Sequence, residues 1–389
     1  MYALDGIRVT DLTTMIAGPF CSTLLADMGA DVIKVESLDG DPWRYVGGPF
    51  LATNRGKRGI AMDLRKEEGR EIFHKLVATS DILVENARFG VWHRLGLDYE
   101  SLSKIKPDLI YVSVLGHGST GPYSTRPGYD PLLQARSGQM VGQGGLGKTP
   151  VFHKVAINDY AAPMLGAFGA MLALFVRTKT GKGQHVETSL TNASMALQCH
   201  EFIDYAGFER KFRGDTDLKG FRATYRIYET ERGWLFLFCI NEEQWRNLCH
   251  TLGLENLLSD SRFKAPQKRE ENDQALVSIL SETFRQKPAS EWLRLLEEVR
   301  VPCAPQKDIE ELLKDPHFLQ NELVVDHDHP EFGRTRQVGI GPRLSETPGR
   351  IWRPAPRLGE HTDQILGELG YSPEEISELR QKRVIAGRV

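Results

Sequence analysis

Ile7-Arg8-Val9-Thr10-Asp11-Leu12 is followed by Gly18-Pro19, by Gly29, and by Asp31-Val32-Ile33-Lys34-Val35-Glu36. The first and last stretches are short and rich in β-branched residues, so they read as buried strands. Gly18-Pro19 opens a helix between them, because proline in a first turn loses nothing by lacking an N–H. Gly29 closes that helix. Strand, helix, strand is a βαβ unit, which implies a parallel sheet.

The pattern continues. Glu67 to Thr79 reads as a helix, Asp81 to Glu85 as a strand, Tyr99 to Lys104 as a short helix, and Leu109 to Val114 as a strand. The turn Thr14-Met15-Ile16-Ala17-Gly18-Pro19 lacks G-x-G-x-x-G, so it is no dinucleotide fingerprint. Glu36 then reads as a solvated strand-end charge rather than a ribose-binding acid. After about residue 220 the composition changes. Thr224 to Thr230 and Trp234 to Cys239 form a hairpin pattern, and helical stretches follow at 242–253, 271–285 and 289–298. Residues 347–357 are rich in Pro and Arg and read as an extended strap. Glu374 to Lys382 reads as a terminal helix. The expected fold is α/β: a Rossmann-like large domain with a parallel sheet, plus a smaller α+β domain. The expected division is 1–197 for the first part of the large domain, 198–221 as linker, 222–316 as small domain, and 317–389 as the return of the large one.

The chain has 389 residues, enough for two domains. It is 40% hydrophobic and 26% charged, with a net charge of −3. That balance argues against general nucleic-acid binding, which leaves a basic footprint. Cys21, Cys199, Cys239, Cys249 and Cys303 are scattered without a CxxC pair, the pattern of reduced thiols and a cytoplasmic location. The N-terminus, Met1-Tyr2-Ala3-Leu4-Asp5, has no basic and apolar leader pattern. The longest apolar run, 161–176, is shorter than a membrane span and reads as a buried core helix, with Gly166 and Gly169 for close packing.

Asp159 stands directly before that run, in Val155-Ala156-Ile157-Asn158-Asp159-Tyr160. As an N-cap it has a plain structural role. A carboxylate at the positive end of a buried helix is also expected to stay ionised and fixed, as a carboxylate nucleophile requires.

Other segments add to this reading. They are Leu4-Asp5-Gly6-Ile7-Arg8-Val9, Ala17-Gly18-Pro19, the run from Leu25 to Glu36, Val84-Glu85-Asn86, Arg94-Leu95-Gly96, Gly128-Tyr129-Asp130 and Leu358-Gly359-Glu360-His361-Thr362. Their order and spacing resemble the class III CoA-transferases, the family of formyl-CoA and carnitine CoA-transferases, from about residue 4 to about residue 385. The resemblance implies an interlocked homodimer, each protomer threaded through the other. It implies that Asp159 is the nucleophile of a covalent CoA transfer between an acyl-CoA and a carboxylic acid. A CoA thioester is then a substrate, and no metal or permanently bound cofactor is required. No nucleic-acid or membrane partner is expected.

By the same resemblance, Ala17, Met62, Arg65, Asn86, Ala87, Arg94, Tyr129 and Asp130 contact CoA or its thioester. Arg65 and Arg94 suit phosphate oxygens, since a guanidinium fork matches that geometry. Taken alone, each reads as a solvated arginine, and Asn86 as a strand-end turn former. The chain also departs from the family. Some members carry Gln at the place of Ile16 and a basic residue near Leu38, which leaves a phosphate contact to Lys34, Arg55, Lys57 or Arg58. Formyl-CoA transferases carry a glycine run at the place of 215–225. Here the glycines fall instead at Gly142-Gln143-Gly144-Gly145-Leu146-Gly147-Lys148, either an active-site loop or an ordinary surface loop.

Related acyl-CoA racemases read Gly-His-Asp where this chain reads Gly128-Tyr129-Asp130. Phenols titrate near ~10 when unperturbed and are poor bases at neutral pH. Tyr129 therefore favours a transferase, and His117 and His153 read as structural or surface residues. The competing readings are an α-methylacyl-CoA racemase, a CoA-binding homologue without turnover, and a dinucleotide-dependent dehydrogenase.

Overall fold

A computed structural model describes residues 1–145, 147–208 and 218–387. The chain divides into two compact units. One comprises Met1–Ser137, His153–Ile203 and Pro316–Val389, and the other Gly138–Phe152 and Asp204–Asp315.

The first unit is built on six parallel strands: β1 (Arg8–Leu12), β2 (Asp31–Glu36), β3 (Lys57–Met62), β4 (Ile82–Glu85), β5 (Ile110–Leu115) and β6 (His185–Ser189). Their spatial order is 3-2-1-4-5-6, the doubly wound order whose direction reverses between β1 and β4. The short strand Ile385–Ala386 adds antiparallel to β3 at the edge. Its helices before residue 203, in chain order, are α1 (Ala17–Asp27), α2 (Gly48–Asn54), α3 (Glu67–Ala78), α4 (Tyr99–Ile105) and α5 (Asp130–Arg136). After α6 (Gln139–Gly144), which belongs to the second unit, come α7 (Ile157–Thr180) and α8 (Leu190–Leu197).

Both sheet faces are covered, so the central strands are buried end to end rather than alternating. Successive residues feed different cores. Val84 and Val112 face one with Cys21, Leu25, Ala162 and Ala170 of α1 and α7. Leu83 and Tyr111 face the other with Ile72, Phe73 and Leu76 of α3. Each fully buried aliphatic side chain contributes about 1.5–3 kcal/mol of transfer free energy.

The sequence reading missed β3. Lys57-Arg58-Gly59-Ile60-Ala61-Met62 opens on two cations, yet every residue is buried. Lys57 Nζ donates to Asp11 Oδ2 at 2.8 Å, and to the carbonyls of Pro19 and Thr53 and to Asn54 Oδ1. Burial alone would raise Asp11, but Lys57 and Lys34 beside it hold its pKa down at about 2. Burial pushes Lys57 down to about 8, which leaves it protonated at neutrality.

α7 runs for 24 residues, and its inward face is made of small residues. A Cβ on Gly166 would lie 3.1 Å from Cys21 Sγ, and one on Gly169 would lie 2.5 Å from Val186 Cγ1. The two glycines thus permit the close packing read from the sequence. The helix is not buried all round, however. Met164, Phe168, Leu172 and Phe175 are about half or more exposed, an apolar stripe at helical spacing. By length and composition the helix could cross a membrane, but its inner face packs on α1, β5 and β6.

The second unit carries a small sheet of β7 (Gly220–Arg222), β8 (Tyr225–Glu229), β9 (Trp234–Phe238) and β10 (Cys303–Pro305). β8 and β9 are the expected hairpin. Trp245, Leu248, Leu280, Phe284 and Trp292 from its helices fill its own core. Of the glycine-poor stretch compared with the family's glycine run, 215–217 lie outside the described residues, while Gly220–Arg222 is β7. In the 142–148 stretch, Leu146 lies outside them, and Gln139–Gly144 is the short helix α6.

Candidate active site

Ala17, Asn86 and Ala87 come together where the strand order reverses. Ala17 starts α1 after β1, and Asn86 and Ala87 follow β4. Open α/β sheets bind ligands in the crevice at this reversal, beyond the C-terminal ends of the strands. The approach is close. A Cβ on Gly18 would lie 2.5 Å from Thr13 Cβ and 2.6 Å from Asn86 Cγ, which requires glycine. The Asn86 side chain is tied to the backbone of Thr14: its Oδ1 accepts from Thr14 N at 2.9 Å, and its Nδ2 donates to Thr14 O at 2.8 Å. Ala87 N is taken as well, donating to Glu85 Oε2 at 2.8 Å. Burial pushes Glu85 up to about 7.

Met62, the last residue of β3, is 1% exposed. Arg65 follows with its side chain in solvent, forked onto Asp63 at 2.8 and 3.0 Å. Arg94 is exposed in the turn His93–Leu95 and forms no ion pair among the described residues. Tyr129 is half exposed before α5.

Four cations proposed for a phosphate are in fact structural. Lys34 pairs with Asp41, Arg55 with Asp27, Lys57 with Asp11, and Arg58 with both Asp31 and Glu368. All four are at most 5% exposed. A buried cation with such a partner is not available to a ligand without breaking the pair.

Asp159 lies at the third position of α7, not at its cap. The helix begins at Ile157, and the N-cap Ala156 has no side chain to cap it. The cap comes from another helix. Asp130 Oδ1 accepts the N–H of Asn158 at 2.8 Å, and its Oδ2 accepts Gln134 Nε2 at 2.5 Å. Gln134 Oε1 accepts from His153 N at 3.0 Å, and Asn158 Oδ1 accepts from Ser194 Oγ at 2.9 Å. Asp130, Gln134, Asn158 and Ser194 are all at most 2% exposed. This network fixes the chain that leads into Asp159. The sequence reading missed Gln134 and Ser194. The polar pair Asn158-Asp159 at a helix start was the available signal, but their partners lie on α5 and α8. The side chain of Asp130 is therefore occupied within the protein.

The Asp159 carboxylate makes no hydrogen bond or ion pair among the described residues. Burial, and then the nearby Asp130 carboxylate, push it up to about 7. The expectation of a carboxyl ionised throughout the neutral range is thus corrected. The helix N-terminus acts in the opposite direction, but less strongly than burial beside a like charge. Pro163, four residues on, has no N–H to give the Asp159 carbonyl, which loosens the first turn. Phe20 of α1 meets Tyr160 edge to face at 5.4 Å, so the starts of α1 and α7 lie side by side. An unpaired, half-desolvated carboxyl near neutral pKa is suited to act as a nucleophile. If it attacks a thioester, as the resemblance implies, the rate of that attack should rise with pH through about 7 and level off above it. Single-turnover rates between pH 5.5 and 8.5 will measure this, and a flat profile would remove the raised pKa from the account.

The profile of CoA-transferase family III matches residues 4–362. The chain is 35% identical to the human succinyl-CoA:glutarate CoA-transferase, covering 98% of this chain and 90% of the relative. It is 34% identical to the succinate–glutarate CoA-transferase of Agrobacterium fabrum, covering 94% and 95%. A solved CaiB/BaiF family protein from Brucella suis superposes with a TM-score of 0.86 at 34% identity, over 95% of this chain and 99% of that one. The chain belongs to CoA-transferase family III, as its ordered motifs implied.

Proposed function

We propose that the protein moves CoA from an acyl-CoA thioester to a free carboxylic acid through Asp159. The carboxylate oxygen attacks the thioester carbonyl, the C–S bond breaks, and a mixed anhydride and CoA thiolate form. The thiolate attacks the aspartyl carbonyl, which releases the donor acid and leaves an aspartyl–CoA thioester. The acceptor carboxylate attacks that thioester, giving a second anhydride and thiolate. The thiolate then takes the acceptor acyl group and frees Asp159. Four acyl substitutions, two through each anhydride, replace one difficult exchange. The single observation that carries the reading is the unpaired Asp159 carboxyl, held by a buried polar network beside the crevice at the strand reversal.

Ala17, Met62, Arg65, Asn86, Ala87 and Arg94 are the proposed CoA contacts, with Arg94, exposed and without an ion pair among the described residues, as a cation for a phosphate. Tyr129 is proposed to face the thioester, and Asp130 to act by holding α7. The relatives named for succinyl-CoA and glutarate support a dicarboxylic donor and acceptor for this chain. A second copy of the chain is the proposed cover for the apolar stripe of α7, in the interlocked dimer that the resemblance implies.

Incubation with succinyl-CoA and a panel of isotope-labelled free acids tests the reading. Labelled acyl-CoA should accumulate only when donor and acceptor are both present. Loss of α-deuterium from a 2-methylacyl-CoA without transfer would instead make the enzyme a racemase.

A further inference from the structure

The turn between β1 and α1 holds a non-glycine residue in the left-handed region, Met15 at φ 69°. That conformation costs an ordinary residue about 1–2 kcal/mol, so something must enforce it. The enforcing groups come from other elements. Thr13 O accepts from Lys34 Nζ at 3.0 Å. The backbone N–H and C=O of Thr14 are both bonded by Asn86. Met15 N donates to both carboxylate oxygens of Asp41, each at 3.2 Å.

Asp41 is 1% exposed, and Lys34, its ion-pair partner at 3.0 Å, is fully buried. Asp41 also accepts from Trp43 N at 2.9 Å, and its own N–H goes to Glu36 Oε1 at 2.9 Å. Lys34 and Trp43 N thereby hold the carboxylate, and Glu36 holds the Asp41 backbone, before the carboxylate meets Met15. On the other side of Met15, α1 begins without a side-chain cap. Its first amide groups are among those a helix leaves without an internal partner.

We propose that Asp41 is a positioning residue for acyl-CoA. It holds Met15 left-handed and so aims the start of α1, at Ala17 and Gly18, at the crevice between β1 and β4. The inference rests on the CoA reading of that crevice. Lys34 and Asn86 act in the same clamp, and neither Asp41 nor Lys34 needs to touch the ligand.

The test is calorimetric binding of CoA to the full-length protein. Asp41→Ala should weaken binding about tenfold, the equivalent of 1.4 kcal/mol. Asp41→Asn keeps an acceptor for Met15 N and should recover most of that loss. A second pair of variants leaves every buried ion pair in place, so its outcome stands even where Asp41→Ala fails to fold. Met15→Val puts a β-branched residue at positive φ, whereas Met15→Gly adopts that region freely. The valine variant should bind CoA at least about fivefold more weakly than the glycine variant. Equal affinities of the two Met15 variants, or wild-type affinity in a folded Asp41→Ala, overturn the clamp. Failure of the wild type to bind CoA overturns the CoA reading itself.

Discussion

Asp159→Asn should abolish CoA transfer, by a factor of at least about a thousand, while making the protein more stable above pH 7. The two effects share one cause. The carboxyl carries the proposed chemistry because it is desolvated beside Asp130, and that placement is what raises it to about 7. An amide is a poor nucleophile, so the anhydride cannot form. For the sign, the group is raised from 3.8 to about 7 on folding. Its contribution to stability is full below the unfolded value and is lost as pH rises through about 7. At pH 8 the folded protein therefore carries a destabilising charge that the amide lacks. Allowing for the partial exposure of the carboxyl, the gain is of order 1 kcal/mol, or a melting temperature higher by roughly 2 °C. At pH 4 the gain should vanish. An inactive variant with unchanged stability at both pH values would show that the carboxyl is not strained by its surroundings.

The largest loss of stability is expected at Lys57. Its ammonium has four acceptors and is entirely removed from water, as is its partner Asp11. Lys57→Met leaves the Asp11 carboxylate buried without its nearest cation and removes the Lys57 donor from Asn54 Oδ1, whereas the carbonyls of Pro19 and Thr53 keep the Ser22 and Thr23 hydroxyls. Breaking such a pair from one side costs about 3–5 kcal/mol. Removing both charges is far less costly, because no isolated ion remains. Asp11→Leu combined with Lys57→Met should thus be more stable than Lys57→Met alone. Urea unfolding at pH 7.5 gives both numbers, and a loss below 1 kcal/mol in the single variant would contradict this account of β3.

β3 also shows where the sequence stopped being readable. Strands with enough β-branched and apolar residues were visible by composition, as β2 and β5 were. Lys57 and Arg58 open a strand whose charges are neutralised by Asp11 and Asp31, and neither partner is near in sequence. Pattern alone gives such lysines and arginines to solvent, and so to a phosphate. The same limit explains Asp159. Its position at the head of a long helix was legible, and so was its candidacy as a nucleophile. Its raised pKa was not, because that depends first on burial and then on Asp130, which is brought beside it by the N–H of Asn158. Asn86 was found for the right place in the fold, but its amide turned out to hold Thr14. The hairpin of residues 324–338 was missed, since His327, Asp328, His329, Arg334 and Arg336 hide its alternation. The motifs that placed the chain in its family lie mainly at strand ends and turns, where local geometry restricts the residue type more than burial does.

The central claim is a covalent bond to Asp159. The wild type, incubated with succinyl-CoA and no acceptor, should gain the mass of CoA on the peptide that contains Asp159. Hydroxylamine should convert the same residue to a hydroxamate, and Asp159→Asn should give neither product. Label on another residue, or transfer to an acceptor acid without any labelled intermediate, would contradict the account.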